Sequence, residues 1–263
     1  MDLKYYWINV DKATERSNFM KLQFKIHNIE NERISAITPE TLPEVLEDKP
    51  PYFCGYPDCR NNNCKDCIIE YATLCSHFEA IKAGYKSGAE YFIVCEDDIY
   101  FTFKLNFDLM IKNRPQDYDI IQMMVISSGH TEYFYEKFYK SDILLINYNP
   151  ITPSAGFYLI THKGAEKLLN LYTNKQTNKY DFSNSQFLKL ADVLIFQSSN
   201  TCVSTLPLCF PNIHFKSQIH EEHYENHKLA YDMIRTKIKE DNMKHPFIMD
   251  YYPFEDFEKL FKS

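Results

Sequence analysis

Glycine is scarce in this chain of 263 residues; there are six, and none of them builds a Gly-rich phosphate loop. That removes the usual signature of a nucleotidyltransferase or phosphotransferase, whose backbone must curl closely around phosphates. Long apolar runs are missing too, and none approaches the roughly eighteen residues of a transmembrane helix. The opening MDLKYYWINVDK has neither a basic leader nor an apolar signal core. The expectation is a soluble, cytoplasmic protein, with peripheral membrane attachment left open. Basic excess is absent as well: the net charge of −7 argues against a nucleic-acid binder, which needs a positive surface.

Core material is plentiful. Hydrophobic residues make up 44%, with twenty Phe and twenty Tyr, enough for one large domain. YYWINV (5–10), RISAIT (33–38), YFIVCEDD (91–98), DIIQMMVIS (119–127), DILLINY (142–148), GFYLI (156–160), DVLIF (192–196) and TCVSTLPLCF (201–210) read as strands. Helical spacing falls between them at 12–26, 68–86, 104–113 and 161–172. Lys86-Ser87-Gly88 reads as a helix end and Thr161 as an N-cap. Such interleaving predicts an α/β sandwich with a mostly parallel sheet. Segments 38–66 and 129–141 read as loops, and 224–242 and 253–262 as charged amphipathic helices. The expected organisation is a domain over 1–222, carrying a Cys-rich insertion at 38–67, and a helical extension over 223–263 packed on it.

The most telling segment is YFIVCEDDIYF, in which Glu96, Asp97 and Asp98 interrupt an apolar run. Adjacent carboxylates repel and are costly to desolvate without partners. In an extended chain, residues i and i+2 point the same way, so Glu96 and Asp98 can converge while Asp97 serves a neighbouring point. Hard oxygen ligands at a strand end suit Mg²⁺ or Mn²⁺, with phosphate oxygens completing the shell. A solvated acidic turn is the plain alternative.

Of eight cysteines, Cys75, Cys95, Cys202 and Cys209 sit in apolar contexts and read as buried residues. Cys54, Cys59, Cys64 and Cys67 cluster in PPYFCGYPDCRNNNCKDCI, where structural Zn²⁺, disulfides and free thiols all remain open.

Taken in order, INVDKATER (8–16), LCSHFEAIKAGYKSGAEYFIVCEDDI (74–99), SAGFYLITHKGAEKLL (154–169), and LADVLIF (190–196) followed by LPLCFPNIHFKSQIH (206–220) resemble the family 25 glycosyltransferases. That family includes lipopolysaccharide-type sugar transferases and collagen galactosyltransferases. The resemblance covers roughly residues 5–220. Lys12 stands where the family usually has Arg, and the cysteine-rich loop is not part of the pattern.

The resemblance implies a GT-A-type nucleotide-sugar-binding fold and transfer of galactose or glucose from a UDP-hexose donor. The acceptor would be a glycan, lipopolysaccharide-like or protein hydroxyl, with inversion at the sugar and Mn²⁺ or Mg²⁺ as cofactor. It places Asp98 and Glu96 on the metal, with Glu96 near the ribose, and Asp97 facing the sugar. His220 is the favoured late metal ligand, with His214 as the alternative. Asp192 becomes the general base. Asn9, Asp11 and Arg16 surround the nucleotide, and Ser76 and His77, ahead of the acidic strand, join the donor site, where His77 orients that strand or the donor; a satisfied core histidine is the plain alternative. The non-enzymatic alternative is a catalytically decayed, zinc- or disulfide-stapled binding module on the same fold. Tyr133, Phe134, Tyr135, Phe138 and Tyr139 could stack on sugar faces or form a core edge.

Overall fold

The computed structural model describes residues 1–55, 66–115, 117–148, 152–212, 215 and 223–252. The chain opens with β1 (Tyr5–Asn9), α1 (Thr14–Ile26), β2 (Asn31–Ser35), α2 (Leu42–Val45) and α3 (Asp66–Lys86). β3 (Tyr91–Cys95), β4 (Ile99–Tyr100), β5 (Phe103–Leu105), α4 (Phe107–Asn113), β6 (Ile120–Gln122) and α5 (Ser128–Lys137) follow. Next come β7 (Leu145–Asn147), β8 (Phe157–Thr161), α6 (His162–Tyr172), α7 (Ala191–Gln197), β9 (Thr201–Ser204) and β10 (Phe210–Pro211). The described chain closes with α8 (His223–Met233), a π-helical turn, α9 (Lys239–Met243) and β11 (Ile248–Tyr251).

Seven strands form the central sheet in the order β2-β1-β3-β8-β6-β9-β7. Alternation along β1 divides the core in two. Tyr5 and Trp7 join Phe24, Phe101 and Phe157 on the α1 face. Tyr6 and Ile8 join Phe78, Phe92, Tyr158 and Phe196 under α3, α6 and α7. Helices on both faces make this an α/β/α sandwich. α3 sits close on the sheet because Gly84 lacks a side chain; a Cβ there would lie 2.2 Å from the Phe92 ring. Gly88, at φ +74°, ends that helix in the left-handed conformation.

The sheet is mixed rather than mostly parallel. β1–β2, β1–β3 and β6–β9 are parallel, whereas β3–β8, β6–β8 and β7–β9 are antiparallel. β8 runs against both neighbours, so it presents its amino end beside the carboxyl end of β3. Two further expectations need correction. DVLIF is the body of α7, not a strand: with Ala191 ahead of it, the helix buries Ala191, Leu194 and Ile195 at helical spacing, and Phe196 beside them. Residues 128–137 are α5 rather than loop, capped by the Ser127 hydroxyl accepting from the His130 N–H.

After α8 and α9 the chain returns as β11, pairing antiparallel with β5. The 253–262 stretch lies outside the described residues. The return is pinned by Tyr139, whose hydroxyl donates to the Asp241 carbonyl at 2.9 Å, and by His245 stacked on Tyr139. His245 is buried, and its Nδ1 accepts the Phe247 N–H at 3.1 Å, so burial drives its pKa down from 6.5 to about 4. Its unfolded state therefore takes up a proton first as pH falls. Stability present above pH 6.5 is lost progressively towards pH 4, by about 3 kcal/mol for this residue. Thermal unfolding midpoints should fall across that window, and less steeply in His245→Asn, which keeps an acceptor for Phe247 but cannot titrate. An unchanged slope would exclude His245 as the source.

Candidate active site

The site grows from the parallel pairing of β1 with β3. Trp7 is level with Cys95, so two residues further on Asn9 comes level with Asp97. Asn9 Nδ2 donates to Asp97 Oδ2 at 2.6 Å, and Arg16 from the first turn of α1 donates to Asp97 Oδ1 at 2.6 Å. Asp97, expected to face the sugar, thus has both oxygens engaged in a buried clamp. Burial raises its pKa, against the pull of Arg16 and Asn9. Sequence reasoning missed Gln23, which is fully buried. Its amide donates to the Ile99 carbonyl and accepts the Phe101 N–H, tying α1 to the chain just past the acids.

Glu96 and Asp98 flank that clamp. Asp98 lies 3.5 Å from Arg16, and burial followed by the charge of Glu96 pushes its pKa up to about 7. Glu96 Oε1 is 3.1 Å from Nε2 of His77, which α3 supplies, while Nδ1 of that ring is 3.3 Å from the Tyr158 hydroxyl. Burial keeps the Tyr158 phenol protonated, so it can donate to Nδ1 and leave Nε2–H to donate to Glu96. Ser76 does something else: its hydroxyl donates to the Ala72 carbonyl and accepts the Ile37 N–H, holding α3 to the chain after β2.

Asp192 reaches the same region from the first turn of α7. Its Oδ2 accepts the Ser154 N–H at 3.1 Å. Ser154 adopts φ 109°, a strained conformation for a side-chain-bearing residue. The turn is fixed by Gln122, whose amide donates to the Thr152 and Ser154 carbonyls. Burial raises the Asp192 pKa; the Ser154 N–H opposes this, Glu96 adds to it, and His77 opposes it weakly. Asp192 thus feels both Glu96 and His77.

At the outer edge, Arg33 of β2 donates to Asn9 Oδ1 at 2.8 Å and to Asp11 at 2.6 Å. Ser35 also donates to Asp11. Arg33 escaped the sequence reading because a cation in a strand with exposed positions looks like a solvated side chain. It comes into view only once the parallel register sets β2 beside β1, with Arg33 level with Trp7 and Ser35 level with Asn9.

His214 and His220 lie outside the described residues, as do Cys59 and Cys64. Cys54 and Cys67 are both buried, with Sγ atoms 3.4 Å apart and no disulfide between them. Cys75, Cys95, Cys202 and Cys209 are buried as expected. Among the described residues, no group of three or more His, Cys, Asp or Glu side chains converges as a metal-binding set. No described helix is long and apolar enough to cross a membrane.

The family model of glycosyltransferase family 25 (LPS biosynthesis protein) matches residues 2–184. The chain belongs to glycosyltransferase family 25. No curated protein matches it. The family match takes in Asn9, Arg16, His77 and the three acids. Asp192, His214 and His220 lie past its end. In this family 25 enzyme Asn9, Arg16, His77 and the three acids meet at the junction of β1, α1, α3 and β3, and α7 brings the Asp192 carboxylate towards them from beyond the matched region.

Proposed function

We infer that the protein transfers a hexose, galactose or glucose, from a UDP-sugar to a hydroxyl of a glycan, lipopolysaccharide-like or protein acceptor, with inversion. The observation that carries this reading is the Glu96–Asp98 pair beyond the carboxyl ends of parallel β1 and β3, the position where α/β sheets bind ligands. Burial first, and then the charge of Glu96, raise the Asp98 pKa, and a divalent cation would offset both. Two carboxylates with diphosphate oxygens suit Mn²⁺ or Mg²⁺, so the residues fit the group. His220, or else His214, is the further ligand we propose from outside the described chain.

Glu96 and Asp98 would hold the cation, which would supply positive charge against the departing diphosphate. His77 orients Glu96 through its Nε2 proton. Asn9 and Arg16 hold Asp97, and with it the strand end, in place, while Asp11 borders the nucleotide. Asp192 takes the proton of the acceptor hydroxyl. Its raised pKa makes it a better base than an ordinary carboxylate. At the loop, the approach of Cys54 to Cys67 supports a structural staple, through zinc or a disulfide, apart from the chemistry.

UDP titrated calorimetrically should bind the wild-type protein about tenfold or more tightly with Mn²⁺ than with EDTA. In Asp98→Ala the two affinities should coincide while the far-ultraviolet circular dichroism stays unchanged. Equal wild-type affinities with and without metal would sink the assignment.

A further inference from the structure

A second concave surface lies away from the carboxylates. It is a cleft of about 490 Å³ between the end of α6, residues 181–187 and the end of α7. Its frame is built. The Tyr172 hydroxyl meets Ser198 Oγ at 2.7 Å, and Lys189 Nζ donates to the Ser185 and Phe187 carbonyls. Its lining chemistry is selective. Among the described residues Asp181 is its one charged lining side chain and no lysine, arginine or histidine lines it, which disfavours phosphates and nucleotides. Four side-chain amides do: Asn174 accepts the Gln176 and Thr177 N–H groups, whereas Asn184, Gln186 and Gln197 are engaged by no other described residue. Phe187 adds a partly exposed ring. Thr173 contributes a buried hydroxyl oxygen with no hydrogen-bond partner among the described residues. Unengaged amides offer a donor and an acceptor side by side, matching the hydroxyls of a sugar, and an aromatic ring suits its C–H face.

We propose that this cleft is a subsite for a neutral saccharide, which anchors the acceptor glycan away from the point of transfer. This rests on the transferase reading above. Two placements support the acceptor side. Gln186, Phe187 and Gln197 lie past residue 184, where the family match ends, so one wall of the cleft is built from chain beyond the matched region, while the α6 side and Asn184 lie within it. It also shares α7 with Asp192: five residues separate Asp192 from Gln197, about 8 Å of helix. A glycan held at the far end of α7 could therefore extend towards the carboxylate at its near end.

The test is saturation-transfer NMR on the full chain with maltose, lactose and cellobiose, in the absence of UDP-sugar. Transfer to at least one disaccharide is expected. It should fall about threefold or more in Asn184→Ala/Gln186→Ala/Phe187→Ala, as loss of a stacking ring predicts, and should be unchanged in Asp98→Ala. If the triple variant does not fold, Asn184→Ala/Gln186→Ala, at two exposed positions, replaces it. No transfer to any of the three sugars, undiminished transfer in the cleft variant, or loss in Asp98→Ala would each overturn the proposal. The metal dependence of UDP binding is read separately. Saccharide binding without it would keep the cleft and remove the transferase reading.

Discussion

Asp192→Asn is expected to lower kcat by a factor on the order of 10²–10⁴, the usual contribution of a positioned general base. The substitution keeps the geometry. An asparagine oxygen can still accept the Ser154 N–H that now meets Asp192 Oδ2 at 3.1 Å, so the 152–156 turn and the start of α7 should stay where they are. What disappears is the ability to take a proton. Because the loss falls on the transition state, UDP affinity in the presence of Mn²⁺ should change little, giving a kcat effect without a binding effect. The pH profile gives a second readout. Burial raises the Asp192 pKa, so the acid limb of kcat should lie above the ordinary carboxylate range in the wild type and vanish in the variant. Near-normal transfer by Asp192→Asn would place the base elsewhere.

The acid segment was readable because its chemistry conflicts with its surroundings: three carboxylates in an apolar run must find partners. The structure supplies them, Arg16 and Asn9 for Asp97 and His77 for Glu96. Strand direction was not readable. β3, β6 and β8 are buried throughout or nearly so, and such strands read as continuous apolar runs whichever way they lie. DVLIF misled for a related reason. A short apolar run can be a buried strand or one turn-and-a-half of buried helix, and periodicity cannot separate them at that length. Arg33, Gln122 and Ser154 matter through neighbours far away in sequence, so no local pattern announces them. Gln122 looks like an ordinary strand residue until its amide is seen holding the turn that binds Asp192.

The clamp around Asp97 carries the other large expectation, on stability. Arg16 and Asp97 have side chains only 8% exposed and meet at 2.6 Å. Removing one member of a buried pair leaves the other charged and uncompensated, typically at about 3–5 kcal/mol. Arg16→Met should incur that cost in full, because Asp97 keeps only Asn9 and Asp98 loses the cation 3.5 Å away. Asp97→Asn should cost distinctly less, since Arg16 retains Asp98 as a counter-charge. The pH dependence follows from the sign of the shift. With Arg16 gone, Asp97 rises further above its unfolded value of 3.8, so the folded state binds a proton that the unfolded state does not. The destabilisation is therefore greatest at neutral pH and shrinks as pH falls towards the unfolded pKa. Urea unfolding of both variants at pH 7.5 and 5.5 would measure this. Equal losses for the two substitutions would show that Asp98 does not serve Arg16 as a counter-charge, and a loss in Arg16→Met that does not shrink at the lower pH would show that the arginine acts through its contact with Phe215 and not through Asp97.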